Sequence, residues 1–273
     1  MLRIAIQSKG RLYEESMALL EEAGIKIPGG KRTLLVPARN FPVEMLFLRD
    51  DDIPESVASG VADVGIVGLN EVMEKRCPVG ILKKLGFGKC RLSLAIPQDI
   101  DYQDRNWFSG KKIATSYPGI LSDYLHKNGI VSDIHVITGS VEIAPGIRLA
   151  DAIFDIVSSG STLVSNRLKE VETVVESEAV LIGTDSISPE KRGILDELLF
   201  RFDSVQAADD KKYILMNVPQ KKLNDVLSVL PGIKSPTVMP LADKEWCSVH
   251  TVLDEKCFWE IINRLKTAGA EGI

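Results

Sequence analysis

Two stretches of the chain, about 90 residues apart, repeat one short pattern. Residues 61–66 read Val-Ala-Asp-Val-Gly-Ile, and residues 149–154 read Leu-Ala-Asp-Ala-Ile-Phe. In both, a small residue and an aspartate lead into an apolar run typical of a buried strand, and a loop and a helical pattern follow. The repeat predicts two α/β lobes of like topology that face each other across a cleft.

Strand-like and helical patterns alternate throughout this part of the chain. The runs that predict strands are 2–7, 33–37, 43–49, 60–68, 80–85, 90–97, 111–115, 133–137, 149–157, 172–177 and 179–183, and the helical patterns are 12–23, 54–59, 69–75, 120–127, 163–168 and 189–202. Such alternation predicts an α/β fold with parallel or mixed sheets. The polar segment 99–109 is interpreted as a hinge, which gives a first lobe of residues 1–97 plus about 178–205 and a second lobe of residues 98–177.

The order of elements changes after a predicted boundary near residues 206–210. A strand at 212–218, a helix at 220–230 stopped by Pro231 and Gly232, strands at 237–241 and 246–252, and a helix at 254–266 follow. This β-α-β-β-α order is that of a small ferredoxin-like module. Residues 206–273 are therefore predicted to form a separate C-terminal domain, of the kind that often senses a ligand.

The composition argues against several classes of protein. The net charge of −5 disfavours non-specific binding of nucleic acid. No apolar run approaches the roughly 20 residues of a membrane span, and the first residues enter a strand directly, without a signal peptide. The four cysteines lack C-x-x-C spacing, which argues against a zinc site or a disulfide framework and indicates a reducing, cytoplasmic location.

The clearest chemical signal lies at the end of the second repeat, where Asp155 precedes a small polar loop and a helical pattern. N–H groups and hydroxyls in such a loop bind phosphate, and the start of a helix adds partial positive charge. The aspartate can accept hydrogen bonds from the hydroxyls of a ribose beside that phosphate. The alternative is an ordinary strand–turn–helix connection in which Asp155 shapes the turn. The candidate phosphate-binding residues are Ser158, Ser159, Gly160, Ser161 and Thr162.

Other candidates lie at strand ends. The turn Lys9-Gly10-Arg11 joins a strand to a helix and is either a second anion site or a solvated basic turn. Arg49 ends another strand and is a further candidate cation. Thr115, Ser116 and Tyr117 precede a helix, where Ser116 is placed to cap the first turn or the three residues line a cleft.

Two charged residues near these segments each allow two interpretations. Glu142 lies between apolar neighbours and is either a functional carboxylate or one satisfied by the backbone. Arg91 is interpreted mainly as a partner in a structural ion pair, with contact to a phosphate as the alternative.

These segments together resemble one family. The matching stretches are Lys9-Gly10-Arg11-Leu12, residues 49–54, Asp-Val-Gly-Ile-Val-Gly at 63–68, Cys-Arg-Leu-Ser at 90–93, 114–118, Gly-Ser-Val-Glu at 139–142, 151–163, Lys-Tyr-Ile at 212–214 and Leu-Pro-Gly at 230–232. The chain resembles the long, self-regulated form of ATP phosphoribosyltransferase over essentially its whole length. The resemblance implies a two-lobed catalytic part like type II periplasmic binding proteins, with a C-terminal ferredoxin-like (ACT-like) regulatory domain.

The resemblance also implies an activity. The reaction joins the 5-phosphoribosyl group of 5-phosphoribosyl 1-diphosphate to N1 of ATP and releases diphosphate, as the first step of histidine biosynthesis. Mg²⁺ is the expected cofactor, with its protein ligands unassigned. Histidine is the expected feedback inhibitor, and the expected assembly is a homo-oligomer built from dimers that associate into hexamers. The family continues into one more apolar strand after 269–273, so the completeness of the regulatory sheet is open at this point.

Within that reaction, the expected roles fall into two groups. Asp155, Arg11 and Glu142 are the candidate catalytic residues, with Asp155 on the ribose hydroxyls and Glu142 on the adenine amine or a metal. The candidate substrate-binding residues are Lys9, Gly10, Arg49, Thr115, Ser116, Tyr117, Asp151, Ser158, Ser159, Gly160, Ser161 and Thr162. Two other functions remain open from the residues alone: a non-enzymatic ligand-binding protein of the same architecture, and a regulatory protein that senses an amino acid.

Overall fold

The computed structural model describes residues 1–28, 33–231 and 235–273, and the chain divides into two units, Met1–Phe202 and Asp203–Ile273. Two sheets and the helices around them make up the first unit. Its elements are β1 (Leu2–Gln7), α1 (Arg11–Glu22), β2 (Leu35–Pro37), β3 (Val43–Leu48), α2 (Ile53–Ala58), β4 (Val64–Gly68), α3 (Leu69–Lys75), β5 (Gly80–Lys84), β6 (Cys90–Pro97), β7 (Lys112–Thr115), α4 (Pro118–Lys127), β8 (Asp133–Val136), β9 (Ala152–Val157), α5 (Ser161–Ser165), β10 (Leu168–Ser177), β11 (Ala179–Gly183) and the first part of α6 (Pro189–Asp209), whose residues from Asp203 onwards belong to the second unit.

The two sheets share one topology. The first has the order β2-β3-β1-β4-β11-β5, with β3, β1 and β4 parallel and β11 antiparallel beside β4. The second has the order β10-β6-β9-β7-β8, with β8, β7 and β9 parallel and β6 antiparallel beside β9. The strands β4 and β9, which hold the two halves of the sequence repeat, therefore occupy equivalent places. The predicted α/β fold with two similar lobes is confirmed.

The strand β6 lies in the second sheet, although the predicted first lobe extended to residue 97. It pairs with β9 and β10 on its two sides. A strand's sheet is decided by its hydrogen-bonded neighbours, and its local sequence carries no information about them. The chain thus passes from the first sheet to the second between β5 and β6, and it returns between β10 and β11 at Glu178.

Apolar clusters join each sheet to the helices that cover it. In the first sheet, Ala5 of β1 and Ile182 of β11 belong to one buried cluster with Ile53 and Val57 of α2. The second sheet buries Leu94, Phe108 and Phe154 with their neighbours on one face. On its other face the cluster contains Ala95, Ala114, Val141, Ala144, Ile153, Val157, Leu163 and Leu168. This second face is the one on which the candidate site is built.

The lobes meet through α3 and α4. Helix α4 begins at Pro118. The N–H groups of Gly119 and Ile120, which have no acceptor within the helix, donate to the Glu74 carboxylate of α3 at 2.8 and 2.9 Å. Ser116, the predicted cap, instead donates its hydroxyl to the Ile137 carbonyl at 2.8 Å. The capping prediction for Ser116 was wrong because a carboxylate from the other lobe reaches both donors, and a negative charge at a helix N-terminus is the stronger cap.

We expect Glu74→Ala to lower the free energy of unfolding by about 1–2 kcal/mol, since two N–H groups of α4 lose their acceptor. Urea unfolding followed by circular dichroism measures the change. The control is Asp123→Ala, which removes an ion pair with Arg76 whose aspartate side chain is 70% exposed. It should cost no more than about 0.5 kcal/mol. Equal losses in the two variants would contradict the capping role of Glu74.

The second unit has the predicted β-α-β-β-α order after the end of α6. Its elements are β12 (Lys211–Pro219), α7 (Leu223–Val229), β13 (Thr237–Pro240), β14 (Trp246–Asp254) and α8 (Glu255–Ala268), and its antiparallel sheet has the order β12-β14-β13. After α8, Glu271 exchanges two backbone hydrogen bonds of 2.8 Å with Asn217 of β12. The predicted helix stop at Gly232, and with it part of the 230–232 match, lies outside the described residues.

None of the helices in the described parts of the chain is long and apolar enough to cross a membrane.

Candidate active site

A pocket of about 250 Å³ lies at the carboxyl end of β9. Its lining combines the end of the strand, the loop Ser158–Gly160, the first residues of α5 and Glu142 from a short 3₁₀ helix, Val141–Ile143. Ligands in α/β proteins bind at the carboxyl ends of parallel strands, because loops from neighbouring strands converge there. The pocket brings together Asp155, Glu142 and the predicted loop residues other than Ser161, and these come from different elements.

The loop presents unpaired donors to this pocket. Gly160 has φ +79°, a left-handed conformation that turns the chain from β9 into α5. The hydroxyls of Ser159 and Ser161 are hydrogen-bonded to each other at 3.0 Å. Within the described ranges, no group accepts a hydrogen bond from the N–H of Gly160 or of Thr162. These two amides and the nearby hydroxyls are therefore available to an anion.

The helix after the loop differs from the prediction. It was expected at 163–168 but runs from Ser161 to Ser165, and Leu168 already belongs to β10. Arg167 at φ +55° reverses the chain, which ends the helix. With only five residues, α5 contributes little dipole, so hydrogen bonds from the loop are the main source of anion affinity.

Asp155 is a partly desolvated carboxylate at the floor of the pocket. It lies on the face of β9 that also carries Ile153 and Val157, beneath Val141 and Leu163. The pKa of Asp155 is raised to about 6, mainly by burial and in smaller part by the nearby Glu142 carboxylate, while a 2.8 Å hydrogen bond from the Ile156 N–H partly offsets the rise. This carboxylate is ionised near neutral pH, but its ionisation costs free energy because burial removes part of its hydration.

A second pocket of about 230 Å³ adjoins the first. It shares Ile156 and Ser158 with the first pocket, and the remaining lining comes from the carboxyl edge of the first sheet and from the segment between β5 and β6. Its polar lining residues are Gln7, Arg11, Glu15, Asp50, Asn70, Glu71, Lys89 and Cys90. Of the predicted cations, Arg11 lies here, where its Nε also donates to Glu15 at 3.0 Å.

A buried network closes the inner side of this second pocket. The Tyr117 hydroxyl of the second lobe donates to Glu71 at 2.8 Å and accepts from the Asn70 amide at 3.2 Å. Ser177, the last residue of β10, donates its hydroxyl to Asn70 at 2.8 Å. Burial raises the pKa of Glu71, and the hydrogen bond from Tyr117 lowers it in part. The network fixes the lobes around the pocket without using a charged pair.

Sequence reasoning missed Asn70 and Glu71. They follow β4 just as the loop Ser158–Gly160 follows β9, so the internal repeat was the signal that could have located them. Lys89 and Cys90, which precede or begin β6, carried no comparable local signal.

Several predicted residues lie outside both linings. Asp151 precedes β9, four residues and about 13 Å of strand from Asp155, and its Oδ2 accepts from the Lys112 N–H at 2.9 Å. Its predicted contact with the ribose is therefore not supported by its position. Lys9 is exposed, and the Arg49 side chain is 78% exposed and pairs with Asp51. Gly10, at φ +93°, is the residue from which α1 begins.

The segment 115–117 is held by hydrogen bonds to its own lobe and to α3. Thr115 is buried and accepts from the Tyr117 N–H at 2.8 Å. Since Thr115 pairs with Phe154 in adjacent parallel strands, Ser116 lies at the same sheet edge as Asp155. In this segment, only Tyr117 has a link to the second pocket, through Glu71.

The site offers oxygen donors for a hard cation but no preformed cage. Among the described residues, no three His, Cys, Asp or Glu side chains are grouped as metal ligands. Asp155 and Glu142 are the carboxylates of the first pocket. This donor set fits a hard divalent cation that retains most of its waters.

Comparison with known proteins identifies the family. A family model described as HisG, ATP phosphoribosyltransferase, matches residues 49–204, and one described as HisG, C-terminal domain, matches residues 208–273. An ATP phosphoribosyltransferase of Bacteroides fragilis is 70% identical over 273 residues, which is 100% of this chain and 96% of the relative.

Solved structures show the same fold. A chain of the ATP phosphoribosyl transferase (HisG:HisZ) complex from Thermotoga maritima has a TM-score of 0.67 and 27% identity, and the match covers 77% of this chain and all of that one. A periplasmic sulfonate-binding protein from Methylobacillus flagellatus matches in fold with a TM-score of 0.52 at 15% identity, over 77% of this chain and 68% of its own. The chain therefore belongs to the ATP phosphoribosyltransferase family, the pentosyltransferases that carry out the first step of histidine biosynthesis.

Proposed function

We propose that this chain transfers the 5-phosphoribosyl group of 5-phosphoribosyl 1-diphosphate to N1 of ATP and releases diphosphate. The observation that carries the proposal is the meeting of two pockets at Ile156 and Ser158. A sugar phosphate held by the loop in the first pocket has its anomeric carbon beside the second pocket. A nucleotide base in the second pocket can then attack that carbon.

Each pocket has a defined task. In the first, the loop residues Ser158–Thr162 hold the 5-phosphate and Asp155 accepts hydrogen bonds from the ribose hydroxyls. In the second, Arg11 is assigned to the diphosphate or to the phosphates of ATP. Lys9 and Arg49, both exposed, are assigned to the outer phosphates of ATP, which extend towards solvent.

The chemical step needs approximation and charge stabilisation, with no covalent nucleophile. The N1 lone pair forms the new C–N bond to the anomeric carbon as the C–O bond to diphosphate breaks, and diphosphate leaves with the electron pair of that C–O bond. Positive charge that develops on the ribose is stabilised by the Asp155 carboxylate. Alkylation at N1 makes the exocyclic amine more acidic, and Glu142 is assigned the proton that it releases.

A divalent metal is part of this proposal, with Mg²⁺ as the ion. Asp155 and Glu142 are the residues that would face it, and it would neutralise charge on the diphosphate. Two regulatory features are proposed from the family resemblance: the C-terminal unit binds histidine as a feedback inhibitor, and the chain forms dimers that associate into hexamers. The matched C-terminal family model supports the first of these.

The direct test is incubation with ATP, 5-phosphoribosyl 1-diphosphate and Mg²⁺. The adduct is expected to absorb in the near ultraviolet beyond either substrate, and omission of Mg²⁺ should slow its formation at least about tenfold. Added histidine should lower the rate. Binding of either substrate without turnover would favour the alternative of a ligand-binding protein of the same architecture.

A further inference from the structure

A bidentate ion pair lies beside the phosphate loop and has no role in the proposed reaction. Arg91 of β6 donates from Nε and Nη2 to the two carboxylate oxygens of Glu170 in β10, each at 2.5 Å. Ser93 also donates to Glu170 at 2.7 Å. The register of β10 against β6 shifts between Glu170 and Glu172, and such a bulge changes the direction of nearby side chains.

The same guanidinium reaches the loop. Its Nη1 donates to the main-chain carbonyl of Ser158 at 3.3 Å. Ser158 is the first residue after β9 and lines both pockets. The hydrogen bonds from Arg91 hold the pKa of Glu170 at about 2, so the carboxylate remains ionised and the pair remains closed at physiological pH.

All three guanidinium nitrogens of Arg91 are thus occupied by protein oxygens, and Glu170 cancels its charge. A planar guanidinium with several fixed donors is suited to hold a carboxylate and a carbonyl in one geometry. An arginine held in this way is a poor free cation for phosphate but a rigid support for a backbone segment.

We infer that Arg91, fixed by Glu170, is a positioning residue that sets the orientation of the Ser158–Thr162 loop for the phosphate of the phosphoribosyl donor. This inference rests on the proposed function, in which that loop holds the 5-phosphate. A displacement of the loop by as little as about 1 Å can cost on the order of a hundredfold in rate.

The chain contains a matched control. Arg3 of β1 pairs with Glu44 of β3 and donates from Nη1 to the Val61 carbonyl at 2.9 Å. Like the contacts of Arg91, these contacts join an arginine to a glutamate and to a main-chain carbonyl. Neither pocket is lined by Arg3, Glu44 or Val61. Arg3→Met therefore measures what the loss of such a pair costs in stability alone.

The test measures KM for both substrates, kcat and the melting temperature in the full chain. Arg91→Met and Glu170→Gln are each expected to raise KM for 5-phosphoribosyl 1-diphosphate at least about tenfold, with a smaller change in KM for ATP. Arg91→Lys should not restore the affinity, because one ammonium group cannot hold both Glu170 and Ser158. Arg3→Met should lower the melting temperature by a comparable amount and leave both KM values unchanged.

Two other results would overturn the inference. If Arg91 binds phosphate directly, Glu170→Gln frees it and lowers KM for the donor, and Arg91→Lys restores affinity. If Arg91→Met changes KM no more than Arg3→Met does, the pair is only structural. Thr162→Val distinguishes the positioning role of Arg91 from the phosphate-binding role of the loop. A raised donor KM in that variant alone refutes the role of Arg91 and leaves the loop assignment intact, whereas no change in any of these variants refutes the loop assignment itself.

Discussion

Asp155→Asn is expected to lower kcat/KM for 5-phosphoribosyl 1-diphosphate by at least about a hundredfold. Asn keeps the size of the side chain but removes the charge that stabilises positive charge on the ribose, and a single preorganised electrostatic contact of this kind is worth about 3–4 kcal/mol in the transition state. Steady-state kinetics measures the loss. Asp151→Asn is the matched control, since Asp151 lies at the other end of β9 and binds the Lys112 N–H.

The same substitution should make the protein more stable near neutral pH. The pKa of Asp155 is raised from 3.8 in a model peptide to about 6 in the folded chain, so the folded state binds the proton more tightly than the unfolded state does. The stability that this proton contributes is present at low pH and is lost as pH rises from about 4 to about 6. Asn cannot ionise and avoids this loss, so Asp155→Asn should gain about 1–2 kcal/mol at pH 7–8.

The pH dependence of the rate follows from the same pKa. In the wild type, kcat/KM for the phosphoribosyl donor should fall as pH decreases below about 6, because protonation removes the Asp155 charge. That acidic limb should be absent in Asp155→Asn. Unchanged kinetics, or an equal loss in Asp151→Asn, would remove Asp155 from the site.

Gly160→Val is expected to raise KM for the phosphoribosyl donor by about ten- to hundredfold. A Cβ at this position would meet only Val157 Cγ1 at 4.0 Å, so crowding is not the cause. The cause is φ +79°, a conformation that costs a β-branched residue about 1–2 kcal/mol and that the loop would abandon. The N–H groups of the loop would then no longer converge on the phosphate.

Gly129→Val is the control for this prediction. Gly129 follows α4 with φ +67°, and a Cβ there would have no neighbour within 4 Å. Both variants should lose about 1–2 kcal/mol of stability, but only Gly160→Val should lose affinity for the donor. The role of the loop would be contradicted if the two variants lost stability equally and kept the same donor KM.

Local sequence patterns were sufficient to predict the order of the elements and the first pocket. Asp155 and the loop at 158–162 are close in sequence, and a strand followed by small polar residues has few possible geometries. The repeat of residues 61–66 and 149–154 predicted that the two lobes have one topology, and the strand orders of the two sheets confirm this.

Contacts between distant segments could not be predicted in this way. The cap on α4 comes from Glu74, more than 40 residues earlier in the chain, and Asn70 meets Ser177 across 107 residues. The sequence around these residues does not indicate their partners. A carboxylate on a helix, such as that of Glu74, is predicted to face solvent when its tertiary neighbour is not known. The sheet to which β6 belongs was mispredicted for the same reason, since strand pairing is decided by remote partners.

The central claim is that the turn after β9 holds the phosphate of the sugar substrate, with Asp155 on the ribose. A crystal structure of the chain with 5-phosphoribosyl 1-diphosphate tests it most directly. We expect the 5-phosphate within hydrogen-bonding distance of the Gly160 and Thr162 N–H groups and the ribose hydroxyls on the Asp155 carboxylate. A complex in which this loop is empty and the sugar phosphate lies elsewhere would contradict the account.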